Sequence, residues 1–189
     1  MLEEKGRKRS RQIEIRTTVN HPFNISKAMQ FQEFFISQRG EFLNASVEAE
    51  NQLVFILQVL LSPEIVDASL FRTIVLDRLA FRQKIEFFAE LLKNVPQLKP
   101  LLTNYEKLPG HLQSLNTIRN KYAHGKLFFQ EDKPYLQFFK GKVREQVISK
   151  ERIETDLRKV TEYKEELFSF AANLVTLVRT KSEAKGQAE

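Results

Sequence analysis

The chain has 189 residues, 42% hydrophobic and 29% charged, which suits one soluble globular domain with a real core and requires no second domain. It contains no cysteine, which excludes disulfides, thiolate zinc sites and a cysteine nucleophile, and its three histidines (His21, His111 and His124) lie too far apart in sequence to suggest a histidine metal site. No apolar run reaches the roughly 18 residues of a membrane helix and no signal-type apolar core follows the basic start, so the expectation is a cytoplasmic protein with no membrane, metal or cofactor.

The formal net charge is +6, and six basic against three acidic residues among the first sixteen place half of that excess in an N-terminal arm. Such an arm fits attraction to nucleic acid, and equally a solubilising tail. Within the arm, 1–24, residues 1–11 read as disordered, 12–19 alternate enough for a short strand, and Pro22 marks a break. The main domain is expected over 25–180, followed by a polar tail over 181–189.

A long helix is predicted from an N-cap at Ser26 to Leu61, ended by Ser62-Pro63, with Gly40 as a point where it kinks or splits. Leu43, Val47, Val54, Leu57 and Leu61 form its core stripe, and Glu50 falls where an apolar residue is expected. A buried carboxylate needs a partner. Glu50 therefore either faces Arg119, in a polar groove with Arg39 and Ser46, or sits in solvent at the edge of the stripe. Residues 67–76 read as a helical turn or an irregular connection. A second helix is predicted over 79–94, with Phe81, Ile85, Phe88 and Leu92 inward and Pro96 beyond its end. Beside that stripe, Lys84 either reaches a phosphate or snorkels from a packed helix.

A short helix or turn over 97–105 and a break at Leu108-Pro109-Gly110 lead to the stretch 112–125, LQSLNTIRNKYAHG. Leu112, Leu115, Ile118 and Tyr122 draw one apolar stripe, and Gly125 stands where a C-cap glycine would. Its polar edge carries Arg119, Asn120 and His124. At about 100° per residue, Asn120 and His124 lie one above the other with Arg119 offset around the axis. His111, nearly four turns away, reads as surface rather than catalytic. Segments 126–130, 135–140 and 142–148 form a hairpin or three-stranded meander, whose aromatics Phe128, Phe129, Tyr135, Phe138 and Phe139 either build a small core or stack on bases. Ser149 caps a last helix over 150–180, with Ile153, Leu157, Val160, Leu167, Ala171, Leu174 and Val178 inward. The sequon Asn44-Ala45-Ser46, inside a predicted helix, is read as chance.

The segment Arg119-Asn120-Lys121-Tyr122-Ala123-His124-Gly125 resembles the signature of the HEPN superfamily, an arginine, a polar residue and a histidine near a helix end. The family's helix order can be laid over 27–180, which implies an all-α, HEPN-like helical bundle with the small β-hairpin or meander (about 126–148) inserted before the last helix. The resemblance further implies a ribonuclease acting as a homodimer with paired motifs in a shared cleft. It also allows a toxin beside an antitoxin or another regulatory protein, or a phage-defence role.

The residues suit that chemistry, because the 2'-hydroxyl of RNA can attack the adjacent phosphorus without a metal. The protein then has to move protons and stabilise charge on the non-bridging oxygens. His124 suits the first task and the planar fork of Arg119 the second. Asn120 can bind a phosphate oxygen or fix the imidazole tautomer. Lys121, Tyr122, Glu50 and Lys84 complete the substrate-contacting candidates, Lys121 for the backbone and Tyr122 equally for packing. One histidine serves poorly as both base and acid, and a two-fold dimer would supply two. The alternative reading is a non-catalytic helical module that binds RNA, a nucleotide or a protein partner, its Arg, Asn and His merely bonding the last carbonyls of their helix.

Overall fold

The computed structural model describes residues 15–16, 24–61 and 68–186. The disorder expected over 1–11, the break at Pro22 and the Ser62-Pro63 stop lie outside those residues. The elements are β1 (Ile15–Arg16), α1 (Ile25–Leu61), α2 (Ala68–Ile74), α3 (Phe81–Asn94), α4 (Lys99–Tyr105), α5 (Leu108–His124), β2 (Lys126–Gln130), β3 (Lys133–Lys140), β4 (Lys142–Val147) and α6 (Lys150–Gly186). The fold is therefore mainly helical, with a small antiparallel meander β2-β3-β4 before the last helix. β1 adds in parallel to β2, Ile15 opposite Phe129.

The cap of α1 is Asn24 rather than Ser26. The side-chain oxygen of Asn24 accepts from the Lys27 N–H at 3.0 Å, and its own N–H donates to Asp132 Oδ1 at 3.1 Å, which fastens the helix start to the β2–β3 turn. Gly40 neither splits nor ends α1, which continues for 37 residues, roughly 55 Å at 1.5 Å per residue. Its inward face is as expected at Val54 and Leu57, which are buried, and at Leu61, which packs against the core, but it includes further residues and leaves Val47 out. Phe35, Phe42, Ala45, Ala49, Leu53 and Ile56 are buried, whereas Val47 is 53% exposed. The two alanines, Ala45 and Ala49, belong to this buried face as well. A reading weighted toward large side chains passes over them.

The second helix stripe is as expected: Phe81, Ile85, Phe88 and Leu92 are all buried. Helix α3 opens with Gln83 accepting the Ala80 N–H at 2.8 Å. Helix α6 opens on Ser149, whose hydroxyl accepts the Arg152 N–H at 3.2 Å, and it runs on to Gly186, so part of the expected polar tail is helical. Its inward face holds Ile153, Val160, Leu167, Phe170, Ala171 and Leu174, while Val178 is exposed.

Helix α5 is the element the others enclose, for it packs on α1, α3, α6 and β3. It begins at Leu108, at the break expected to start it, because Pro109 in a first turn has no N–H to waste and sets a helical φ. Leu108, Leu112, Leu115 and Tyr122 are buried, and the Tyr122 ring stacks on Phe42 of α1 at 4.1 Å and 7°.

In the meander, the two-residue turn Glu131-Asp132 has positive φ at both positions, the geometry that fits the twist of a tight hairpin. Phe128 and Phe129 are buried, with Phe128 stacked on Tyr135 and Phe129 edge-on to Phe31. Phe138 packs against the core, whereas Phe139 is 74% exposed. The small-core role therefore describes this group apart from Phe139.

Candidate functional site

The last turns of α5 divide into an inward and an outward half. Inward, the Tyr122 hydroxyl donates to Asp156 Oδ2 of α6 at 2.9 Å, and the Lys121 ammonium donates to the same oxygen at 3.0 Å. Asp156 is only 3% exposed, and Arg152, one turn earlier on α6, approaches its other oxygen at 3.3 Å. Desolvation pulls the Lys121 pKa below its ordinary value even though Asp156 opposes the shift. Burial first, and the Asp156 charge second, push the Tyr122 phenol well above the usual range. Lys121 and Tyr122 thus hold the motif helix to α6 and are turned away from solvent, unlike Arg119, Asn120 and His124.

Outward stand Arg119, half-buried, with Asn120 and His124, both exposed. The Arg119 guanidinium donates to Asn120 Oδ1 at 3.4 Å, and the Asn120 amide donates to Asn116 Oδ1 at 3.3 Å. Both bonds are long enough to be exchanged for a ligand's. Among the described residues Arg119 has no carboxylate partner and the His124 ring has no hydrogen bond.

The last carbonyls of a helix need donors, which is the work a purely structural histidine or arginine would do. Here Arg39 of α1 does it, its guanidinium donating to the Ala123 carbonyl across the helix pair. Gly125 then turns the chain into β2 with φ −70° and ψ 140°, an ordinary extended conformation and not the left-handed C-cap expected. Its lack of a side chain matters for another reason: a Cβ there would collide with the Lys121 carbonyl oxygen and lie 2.7 Å from Leu136 Cδ1. Gly125 is needed because helix end and meander meet without room between them.

The remaining candidates lie elsewhere. Glu50 pairs with Lys84, Nζ to Oε1 at 2.6 Å, rather than with Arg119, and the Lys84 side chain is 6% exposed. This is an α1–α3 tie, so Lys84 neither snorkels nor faces a phosphate, and Glu50 is satisfied without the motif arginine. The groove expected to join Glu50, Arg39 and Ser46 does not form. Arg39 is spent on Ala123, and the buried Ser46 hydroxyl donates to the Phe42 carbonyl of its own helix at 2.6 Å. His111 is half-buried, with Nδ1 2.5 Å from Glu166 Oε2 and its ring stacked on Tyr163 at 4.5 Å, which ties the start of α5 to α6. Sequence reasoning missed Asp156 altogether. Its one signal was an acidic residue between the inward positions Ile153 and Val160 of α6.

Two grooves flank the outward half. One, about 570 Å³, runs between α1 and β2 past Ile36, Arg39, Gly40 and Gly125, and the other, about 370 Å³, runs between α3 and α5 up to Asn120. Among the described residues no three His, Asp or Glu side chains gather as metal ligands, and no helix is long and apolar enough to cross a membrane. Comparisons with protein-family models, with curated proteins and with solved structures find no match to this chain.

Proposed function

We propose that the chain is a metal-independent endoribonuclease of the HEPN type, working as a homodimer whose paired motifs share one cleft. The observation that carries the reading is the division of labour at the end of α5: Arg39 satisfies the Ala123 carbonyl, and His124 is left exposed with no described partner. An imidazole with no structural duty, on the same helix face as Asn120 and one residue further from Arg119, is equipped to take or give a proton. The guanidinium and amide beside it can hold a phosphate. RNA is the substrate this equipment suits, since its 2'-hydroxyl is the nucleophile that the protein does not have to supply.

The dimer supplies the second histidine that an in-line displacement needs. Ile36 and Val47, both exposed, lie eleven residues apart on α1 and so fall on one line of that helix, and Ile36 borders the groove that reaches Gly125. The reading requires a two-fold axis that brings two His124 side chains into one cleft, and this strip is the apolar surface offered for it.

The test is incubation of purified protein with single-stranded RNA in excess chelator, alongside His124→Ala and Arg119→Ala. Cleavage that resists the chelator and is lost in both variants is the expected result. Binding without cleavage would instead favour the non-catalytic RNA-, nucleotide- or protein-binding module. A chain that sediments as a monomer at micromolar concentration would remove the shared cleft.

A further inference from the structure

The groove between α3 and α5 is continuous with the motif yet differs from it in character. Arg82 and Glu86 stand on its α3 side, and Gln113, Asn116, Thr117 and Asn120 stand on its α5 side. These α5 positions are spaced by three, one and three residues, so they follow one face of the helix from the groove mouth to the motif.

The charges in the groove cancel, because Arg82 Nε bonds Glu86 Oε1 at 2.7 Å. The Thr117 hydroxyl is also occupied, donating to the Gln113 carbonyl at 2.9 Å. What remains available is amide: the side chain of Gln113, the NH2 of Asn116, and Asn120, which links Asn116 to Arg119. Ile85 lies fully buried beneath the groove, so its lining is predominantly polar. A phosphate would meet there a cation already paired with a carboxylate, together with carbonyl oxygens. A flat, neutral heterocycle with donors and acceptors along its edge would find an amide edge to pair with.

We infer that this groove is a subsite for one unpaired nucleobase of the RNA strand whose phosphate lies on Arg119 and His124, read by the amides of Gln113 and Asn116. The inference rests on the ribonuclease reading and deepens it. The motif carries the chemistry and is blind to sequence, while the groove beside it selects the base. The volume, about 370 Å³, lies toward the lower end of the roughly 300–1,000 Å³ of small-ligand sites.

The experiment measures fluorescence anisotropy of short single-stranded homopolymers of A, C and U with the full chain in chelator. The His124→Ala background prevents cleavage, and Gln113→Leu and Asn116→Leu are added to it singly. Cleavage of the same RNAs by the unsubstituted protein is followed in parallel. The expected result is a preference for one homopolymer on the order of tenfold that collapses in both leucine variants, the weaker salt-dependent binding remaining. Gln113 is exposed and lies six residues before Arg119, so its variant separates base reading from damage to the site. Cleavage with no base preference, or a binding preference that both leucine variants retain, overturns the groove assignment and leaves the ribonuclease reading standing. An unsubstituted protein that neither binds nor cleaves these RNAs overturns both.

Discussion

Removing the Asp156 carboxylate should destabilise the protein more than any change to the exposed motif. The Asp156→Ala variant leaves the Lys121 ammonium, with a side chain 10% exposed, and the fully buried Tyr122 hydroxyl without their shared acceptor. Breaking a buried ion pair from one side costs about 3–5 kcal/mol, because the surviving charge stays desolvated. The third partner adds little, since the Arg152 side chain is 60% exposed and such surface pairs contribute about 0–1 kcal/mol. For a chain of this length each kcal/mol moves the melting temperature by about 2–4 °C, so a fall of about 6–20 °C is expected. Far-ultraviolet circular dichroism melts together with urea titrations would measure it. Two companion variants test the cause. Asp156→Asn keeps an oxygen for the tyrosine and loses only the charge. It should therefore lose less, and its stability should rise with pH toward the ordinary lysine value of 10.5, because below that value the unfolded chain binds the proton that the folded one resists. Combining Asp156→Leu with Lys121→Met should restore much of the loss, since no buried charge remains. A loss below about 1 kcal/mol in Asp156→Ala, at an unchanged denaturant slope, would refute the reasoning.

Two further outcomes follow from the same region. Tyr122→Phe should cost about 1 kcal/mol near neutral pH for the lost hydrogen bond. Because the folded-state phenol is raised above its ordinary 10.0, its contribution is complete below that pH and is lost above it as the unfolded chain ionises first. The fall in wild-type stability between about pH 10 and 11, read from urea midpoints, should thus be shallower in the phenylalanine variant. Gly125→Ala should destabilise by about 1–3 kcal/mol even though its φ and ψ suit alanine, because the added methyl meets the Lys121 carbonyl and Leu136. Calorimetry showing it neutral would mean that helix end and meander can separate at no cost.

Much of the architecture was legible in the order of residues. The apolar spacing of 81–92 and 112–122, the Ser149 cap and the alternating aromatic segments after Gly125 are local signals, set by how often a side chain returns to one face of a helix or strand. The Arg119-Asn120-His124 edge was legible for the same reason, since residues four apart on a helix stack whatever surrounds them. These are properties of the chain over a few turns.

Partnerships between elements belong to the tertiary structure. That Glu50 meets Lys84, that Arg39 closes the end of a helix 84 residues away, and that Asp156 gathers Lys121 and Tyr122 all depend on which helices lie side by side. Periodicity gives the face of a helix without giving the neighbour that covers it. The burial of small alanines on α1 has the same origin. The sequence by itself thus determined the helices, the meander and a polar edge bearing a histidine. Only the packing of α5 against α1 and α6 decided which of those polar groups are spent holding the fold and which are left facing water.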